Sequence, residues 1–377
     1  MKIFLFDMDS VLLEPGGYHM ALKETVRRLA RALGVADSSL SENHIAAFEA
    51  RGFTSEWDES AVCAALLLQT AWKKEPGLAL PDSLTLPIRH APTPLPAPDF
   101  LSLAQALSTS ELHPFQPLER AERFCIGVDH HIPAQERILH DLFRGAHSVT
   151  GSITHRTFQE LVVGSAEFTH TYGLPAVLDT ESYLLKYDKS NLSPSEGIRL
   201  RDWISAPGHA AAVLTSRPSR SPSGNFCPPE AEMGASLIGL DDIPIAGWGG
   251  MHWLGDRSGV DSSVFLKPSP VHALAALCLA LGDPQETALS EAAAMVETGQ
   301  PSPGWERLDG AQVSVFEDTP GGIKSLRVAK DVLEKAGIRI ETNYYGVAQK
   351  PVKVQALKAN EAQVYPTLVK ALSLSMD

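Results

Sequence analysis

The stretch FDMDSVLL sets two carboxylates, Asp7 and Asp9, one residue apart at the end of an apolar run. On a strand, residues i and i+2 project to the same face, so the two acids would point together. Like charges that close repel, and burying them is unfavourable unless something positive lies between them. A cation meets that need most simply. Three later polar groups also follow apolar runs: Thr215 and Ser216 after AAVL, Lys267 after VFL and just before a helix, and Glu317 and Asp318 after VSVF. The carboxylates suit a hard divalent cation such as Mg²⁺, which prefers oxygen ligands. The lysine and hydroxyls suit an anion, and Lys267 stands where free N–H groups and the helix dipole favour negative charge. A cation, an anion site and a spare carboxylate are the equipment of phosphoryl transfer, which depends on positioning and charge neutralisation.

The elements that must position these groups can be read from periodicity. MKIFLF is a continuous apolar run, as expected of a central parallel strand covered on both faces. Leu22, Val26, Leu29, Ala30 and Leu33 mark an amphipathic helix stopped by Gly34. A second helix is expected to open at Ser39 with Glu42 in capping-box spacing, and to end at Gly52. Residues 75–116 are rich in proline and poor in periodicity, which predicts an extended surface excursion outside the core. Ser193, Pro194 and Glu196 start a helix ended by Pro207-Gly208, and HAAAVLTSRPS follows as a buried strand. Residues 219–262 are rich in Gly, Pro and Ser around the apolar IPIAGW, and 283–310 read as another insertion. AQVSVFED, the helix IKSLRVAKDVLEKAG and the strand IRIET complete the pattern. Strand, polar tip and helix repeated in this order predict an α/β fold with a doubly wound, parallel, Rossmann-like sheet. Ligands of such sheets bind beyond the carboxyl ends of the strands.

Bulk properties narrow the function. The chain has 377 residues, enough for two domains, with 44% hydrophobic and 20% charged residues. Its formal net charge of −13 argues against a nucleic-acid partner. No apolar run reaches membrane-spanning length, and MKIFLF lacks the features of a signal peptide. The four cysteines are scattered without CxxC spacing, so a reduced, cytoplasmic protein is expected.

With these residues in hand, the sequence resembles the haloacid dehalogenase superfamily. FLFDMDSVLL is similar to its first motif, AAVLTSRP to the second, VFLKPSP to the third and VFEDTPGGI to the acidic-pair form of the fourth, in the required order. EARGFTSEWD is similar to a cap loop of the branch that includes β-phosphoglucomutase and phosphoglycolate phosphatase. The resemblance implies a core of residues 1–15 and 185–377, with a mainly helical cap inserted at 16–184 that closes to exclude water and select substrate. It implies Asp7 as the nucleophile, already ionised, and Asp9 as general acid and then general base, its carbonyl also on Mg²⁺. Asp7 and Asp318 would hold the metal, with Glu317 as a further ligand or a partner of one. Thr215, Ser216 and Lys267 would hold the phosphoryl oxygens, and Arg51 in the cap loop a distal anionic group of the substrate. The function implied is Mg²⁺-dependent hydrolysis of a small phosphorylated metabolite through an aspartyl-phosphate. The presence of Asp9 speaks for phosphate over halide chemistry.

Alternatives stand beside this reading. A phosphomutase would return the phosphoryl group to another hydroxyl, and a non-catalytic relative would use the fold as a binding module. Ser10 departs from the family, which usually has Gly there. Arg51 reads equally as a helix C-terminal arginine, and Arg217 as a further substrate contact. Phe53 and Trp57 read as packing. Asp129-His130-His131 is similar to a metal-binding box of another phosphoesterase family, but is expected to be a chance match.

Overall fold

The computed structural model describes residues 1–36, 38–53, 55–80, 95–107, 116–128, 131–222 and 227–376. The chain divides into two compact units, one of residues 1–15 and 188–377 and the other of residues 16–187.

The first unit is built on a parallel sheet. Among the described residues its strands are β1 (Lys2–Phe6), β4 (His209–Leu214), β5 (Ile245–Ala246), β6 (Ala311–Glu317), β7 (Ile340–Val347) and β8 (Gln363–Tyr365), in the order β5-β4-β1-β6-β7-β8. A short antiparallel ribbon pairs β2 (Leu13–Glu14) with β3 (Lys189–Ser190). Strand order reverses at β1, which has β4 on one side and β6 on the other. Phe6 pairs with Val213 and with Phe316, so the carboxyl ends of all three strands are level. The fold is thus a doubly wound α/β sheet with a mainly helical unit inserted after its first strand.

Alternation along β1 explains both faces of the core. Ile3 and Leu5 pack with Ala212, Leu214, Val313 and Val315 against the helices Pro270–Ala280, Gln285–Thr298 and Pro320–Lys335. Phe4 and Phe6 face the other way, Phe4 stacked on Trp203 at 3.8 Å and Phe6 on Phe316 at 4.9 Å. Asp7 continues the Ile3–Leu5 face. The helix Pro270–Ala280, which Lys267 precedes, covers that same face.

The second unit contains, among the described residues, the helices Gly17–Ala32, Glu42–Glu49, Glu56–Trp72, Phe100–Ala106, Pro117–Val128, Pro133–Arg144, Ile153–Val163, Ser165–Tyr172 and Tyr183–Tyr187. Phe48 and Phe53 meet edge to face, and Trp57 stacks on His155 at 4.6 Å. Among the described residues, no helix is long and apolar enough to cross a membrane.

Several expectations need correction. The second helix is capped by Ser41 with His44 in the capping box, so the Ser39–Glu42 spacing was not the signal. Within the proline-rich span, Phe100–Ala106 is a helix capped by Asp99 that buries Phe100, Leu103 and Ala104; residues 81–94 and 108–115 lie outside the described residues. Residues 283–310, read as an insertion, contain the helix Gln285–Thr298, which buries Ala288, Leu289, Ala292 and Met295 in the core. The Gly/Pro/Ser-rich span 219–262 contains the helices Glu230–Leu237 and Trp248–Ser258. IPIAGW contributes only Ile245–Ala246 as strand. Lys267 follows a 3-10 turn at Ser262–Phe265 and not a strand. Asp129 and His130 lie outside the described residues, while His131 Nε2 lies 2.9 Å from the Cys125 carbonyl.

Candidate active site

Strand ends bring Asp7, Glu317 and Asp318 together. Asp7 follows β1, its N–H donating to the Phe316 carbonyl of β6 at 2.9 Å. Glu317 ends β6, and Asp318 follows it. Each of these buried acids can place a carboxylate oxygen within 4.8 Å of the others'. Burial is the first cause that raises Asp7 well above the usual carboxylate range, with the Glu317 charge next. Burial likewise raises Glu317, against the pull of Lys267. Burial thus works against the ionised Asp7 that the resemblance implies, and the Lys267 charge works for it. Gly322 gives Glu317 its room: a Cβ there would stand 2.1 Å from Glu317 Oε1.

Lys267 reaches into this cluster. Its Nζ donates to Asp7 Oδ1 and Glu317 Oε1, both at 2.8 Å, and to the Leu214 carbonyl at 3.2 Å. All three ammonium protons are thereby used. Burial alone would lower its pKa, but Asp7 and Glu317 outweigh burial and raise it. Behind it, His272 Nδ1 accepts from the Lys267 N–H at 3.1 Å, so its Nε2 carries the proton and donates to the Ala246 carbonyl at 3.0 Å. Burial then pushes His272 down to about 3, which keeps that tautomer neutral. Lys353 pairs with Asp318 from the helix Pro351–Lys358. Two ammonium groups therefore face three carboxylates, and a divalent cation would relieve the remaining repulsion. The all-oxygen donor set fits Mg²⁺.

Asp9 lies in a tight loop. The N–H groups of Leu12 and Leu13 donate to the Met8 carbonyl, and Ser10 N–H donates to the Leu13 carbonyl at 2.6 Å. Ser10 has φ +63°, the left-handed region where a glycine would be unstrained. Asp9 does not face the carboxylate cluster with its charge unpaired: Arg217 holds it through Nη2 on Oδ1 and Nε on Oδ2. Arg217 is fully buried and also binds Asp188, so it is not the substrate contact expected from its place beside Thr215.

Thr215 is buried at the end of β4, its N–H donating to the Ala246 carbonyl and its Oγ1 accepting from the Arg217 N–H at 3.1 Å. Ser216 beside it is exposed. Arg51 belongs to the second unit, where its Nη1 donates to the Ala47 carbonyl at 2.8 Å, as an arginine closing a helix C-terminus does. Sequence reasoning missed His272, Lys353 and Asp188. Beside Asp318 lies a cavity of about 410 Å³ lined by Ser10, Glu14, Asn191, Asp318, Lys350 and Lys353 among others.

No family model matches the chain, and no curated protein matches it. Its fold is similar to that of an X-ray structure described as Northeast Structural Genomics Consortium target ZR25. The TM-score is 0.63 at 15% identity, over 100% of this chain and 99% of that one. At that identity the likeness concerns the fold alone.

Proposed function

We propose that the protein is a Mg²⁺-dependent phosphatase of the haloacid dehalogenase type, acting on a small phosphorylated metabolite. The observation that carries this reading is the Lys267 ammonium shared by Asp7 and Glu317 beside Asp318. Residues from three distant parts of the chain meet there, at the carboxyl ends of β1 and β6.

In this mechanism an Asp7 carboxylate oxygen attacks phosphorus, and the bond from phosphorus to the ester oxygen breaks. The leaving oxygen takes a proton from Asp9. Water then attacks the aspartyl-phosphate, gives its proton to Asp9, and the bond between Asp7 and phosphorus breaks to release inorganic phosphate. Lys267 and the Thr215 hydroxyl neutralise and orient the phosphoryl oxygens. When bound by Asp7 and Asp318, with Glu317 beside them and the Asp9 carbonyl as a further oxygen donor, Mg²⁺ supplies charge neutralisation and favours ionised Asp7 against the effect of burial.

Turnover of p-nitrophenyl phosphate and a panel of phosphorylated metabolites tests this reading. Wild type should release phosphate with Mg²⁺, and Asp7→Asn should release none while still unfolding in a single cooperative transition. Isomerised sugar phosphate without free phosphate would point to a mutase. No turnover of any substrate by wild type would point to a binding module.

A further inference from the structure

We infer that Arg217, anchored on Asp188, is the positioning residue that aims Asp9 at the leaving group. The inference rests on the phosphatase reading above. Asp9 needs such support because it sits on a loop, and a carboxylate that delivers a proton works only in a narrow range of positions. Its side chain is 36% exposed, whereas the Arg217 side chain is 0% and that of Asp188 1% exposed. One end of the chain of charges is thus open and the other sealed.

The guanidinium fork defines the plane of the Asp9 carboxylate. Nη2 meets Oδ1 and Nε meets Oδ2 at 3.3 Å, a two-point contact that a lysine ammonium cannot reproduce. An ionised carboxylate has about four lone-pair sites. Two taken from beneath leave others facing outward for a proton. Nη1 donates to Asp188 Oδ2 at 3.0 Å, which offsets the buried positive charge on its far side. Arg217 is itself pinned through its backbone: its N–H donates to Thr215 Oγ1, and its carbonyl accepts from the Trp248 N–H at 3.1 Å. Gly234 leaves the guanidinium space, since a Cβ there would lie 3.2 Å from Nη1 and 2.6 Å from Met8 Sδ.

The segment that carries Asp188 also braces the Asp9 loop directly. Asn191 N–H donates to the Leu12 carbonyl at 3.0 Å, and Asn191 Nδ2 to the Val11 carbonyl at 3.0 Å. Asp188 is the first residue of the core unit after the insertion. The orientation of Asp9 is therefore set where the chain re-enters the core.

The role is read from leaving-group dependence. Arg217→Lys and Asp188→Asn are compared with wild type on p-nitrophenyl phosphate, whose phenolate leaves almost unaided, and on phenyl phosphate, whose leaving oxygen needs a proton. For Arg217→Lys, kcat on phenyl phosphate should fall about 100-fold, the low end of what a positioned general acid contributes. On p-nitrophenyl phosphate it should fall several-fold at most, with KM little changed on both. Asp188→Asn should move in the same direction by a smaller factor, and serves as the probe if Arg217→Lys does not fold in a thermal melt. Equal losses on both esters, or a loss in KM alone, would overturn the positioning role while leaving the phosphatase reading intact. Wild type inactive on both esters overturns the phosphatase reading, and this role with it, before any variant is made.

Discussion

Replacing Lys267 by Met tests the electrostatics of the site most directly. The change keeps a long unbranched side chain but removes the ammonium that lies 2.8 Å from both Asp7 and Glu317. Two buried carboxylates are left facing each other and Asp318, without the charge that compensated them. Breaking a buried ion pair by removing one partner costs about 3–5 kcal/mol. In a unit of this size that corresponds to a fall in Tm of roughly 6–20 °C, at about 2–4 °C per kcal/mol. Magnesium changes the arithmetic. A cation held by the three carboxylates at about 100 times its Kd returns about 2.7 kcal/mol. Thermal melts with EDTA and with millimolar Mg²⁺, on wild type, Lys267→Met and Asp318→Asn, measure both effects. Lys267→Met should be strongly destabilised in EDTA and partly rescued by Mg²⁺, whereas Asp318→Asn should lose the Mg²⁺ response. A Lys267→Met melt in EDTA within about 2 °C of wild type would refute the argument that the lysine holds these carboxylates together, since the predicted shift is several times larger.

Two further predictions concern single residues. Ser10 sits at φ +63°, where an L-residue loses roughly 1–2 kcal/mol that glycine does not; after the greater unfolded-state entropy of glycine, Ser10→Gly should raise Tm by about 1–2 °C. A lower Tm would show that the hydroxyl has a role the backbone argument overlooks. Glu59, on the helix Glu56–Trp72, is 2% exposed, has a buried Oε2 without a hydrogen-bond partner, and is pushed up from 4.5 to about 9, first by burial and then by the charges of Glu56, Glu49 and Asp58. A raised carboxyl contributes stability that is complete below its unfolded pKa and is lost as pH rises through its folded pKa. Between pH 4.5 and 7 the loss approaches about 3 kcal/mol, so the stability gap between Glu59→Gln and wild type should widen steadily from pH 5 to pH 8. A gap in Tm that stays flat across that range would show that Glu59 does not titrate this way.

The strand-tip residues were legible because a covered parallel strand writes a continuous apolar run, and the residue after it stands at the sheet's carboxyl end. Asp7, Thr215, Glu317 and Asp318 all follow such runs. Lys267 was legible from the apolar run before it and the helix after it, although that run lies at a 3-10 turn and not in a strand. The helix Trp248–Ser258 was missed because three glycines within WGGMHWLGDRS argue against a helix in isolation, and packing overrides that local preference.

What stayed hidden is the layer behind these residues, and the reason is separation along the chain. Arg217 meets Asp9 across 208 positions and Asp188 across 29, and Lys353 meets Asp318 across 35. None of these pairs follows a helical or strand period, so no window of sequence contains both partners. His272 could have been noticed, as the polar residue within VHALAALCLA, a helix otherwise apolar beyond its first proline. Its meaning still depends on the Ala246 carbonyl, on a strand end 26 positions away. The same separation bears on chemistry. A DxD tip states that two carboxylates share a face, but not that they do different work. Lys267 at Asp7 and the buried Arg217 at Asp9 give the two acids different partners, one a cation shared with Glu317 and the other a fork backed by Asp188. If Asp7 attacks and Asp9 carries the proton, that division of labour resides in these partners, because the two side chains are chemically identical.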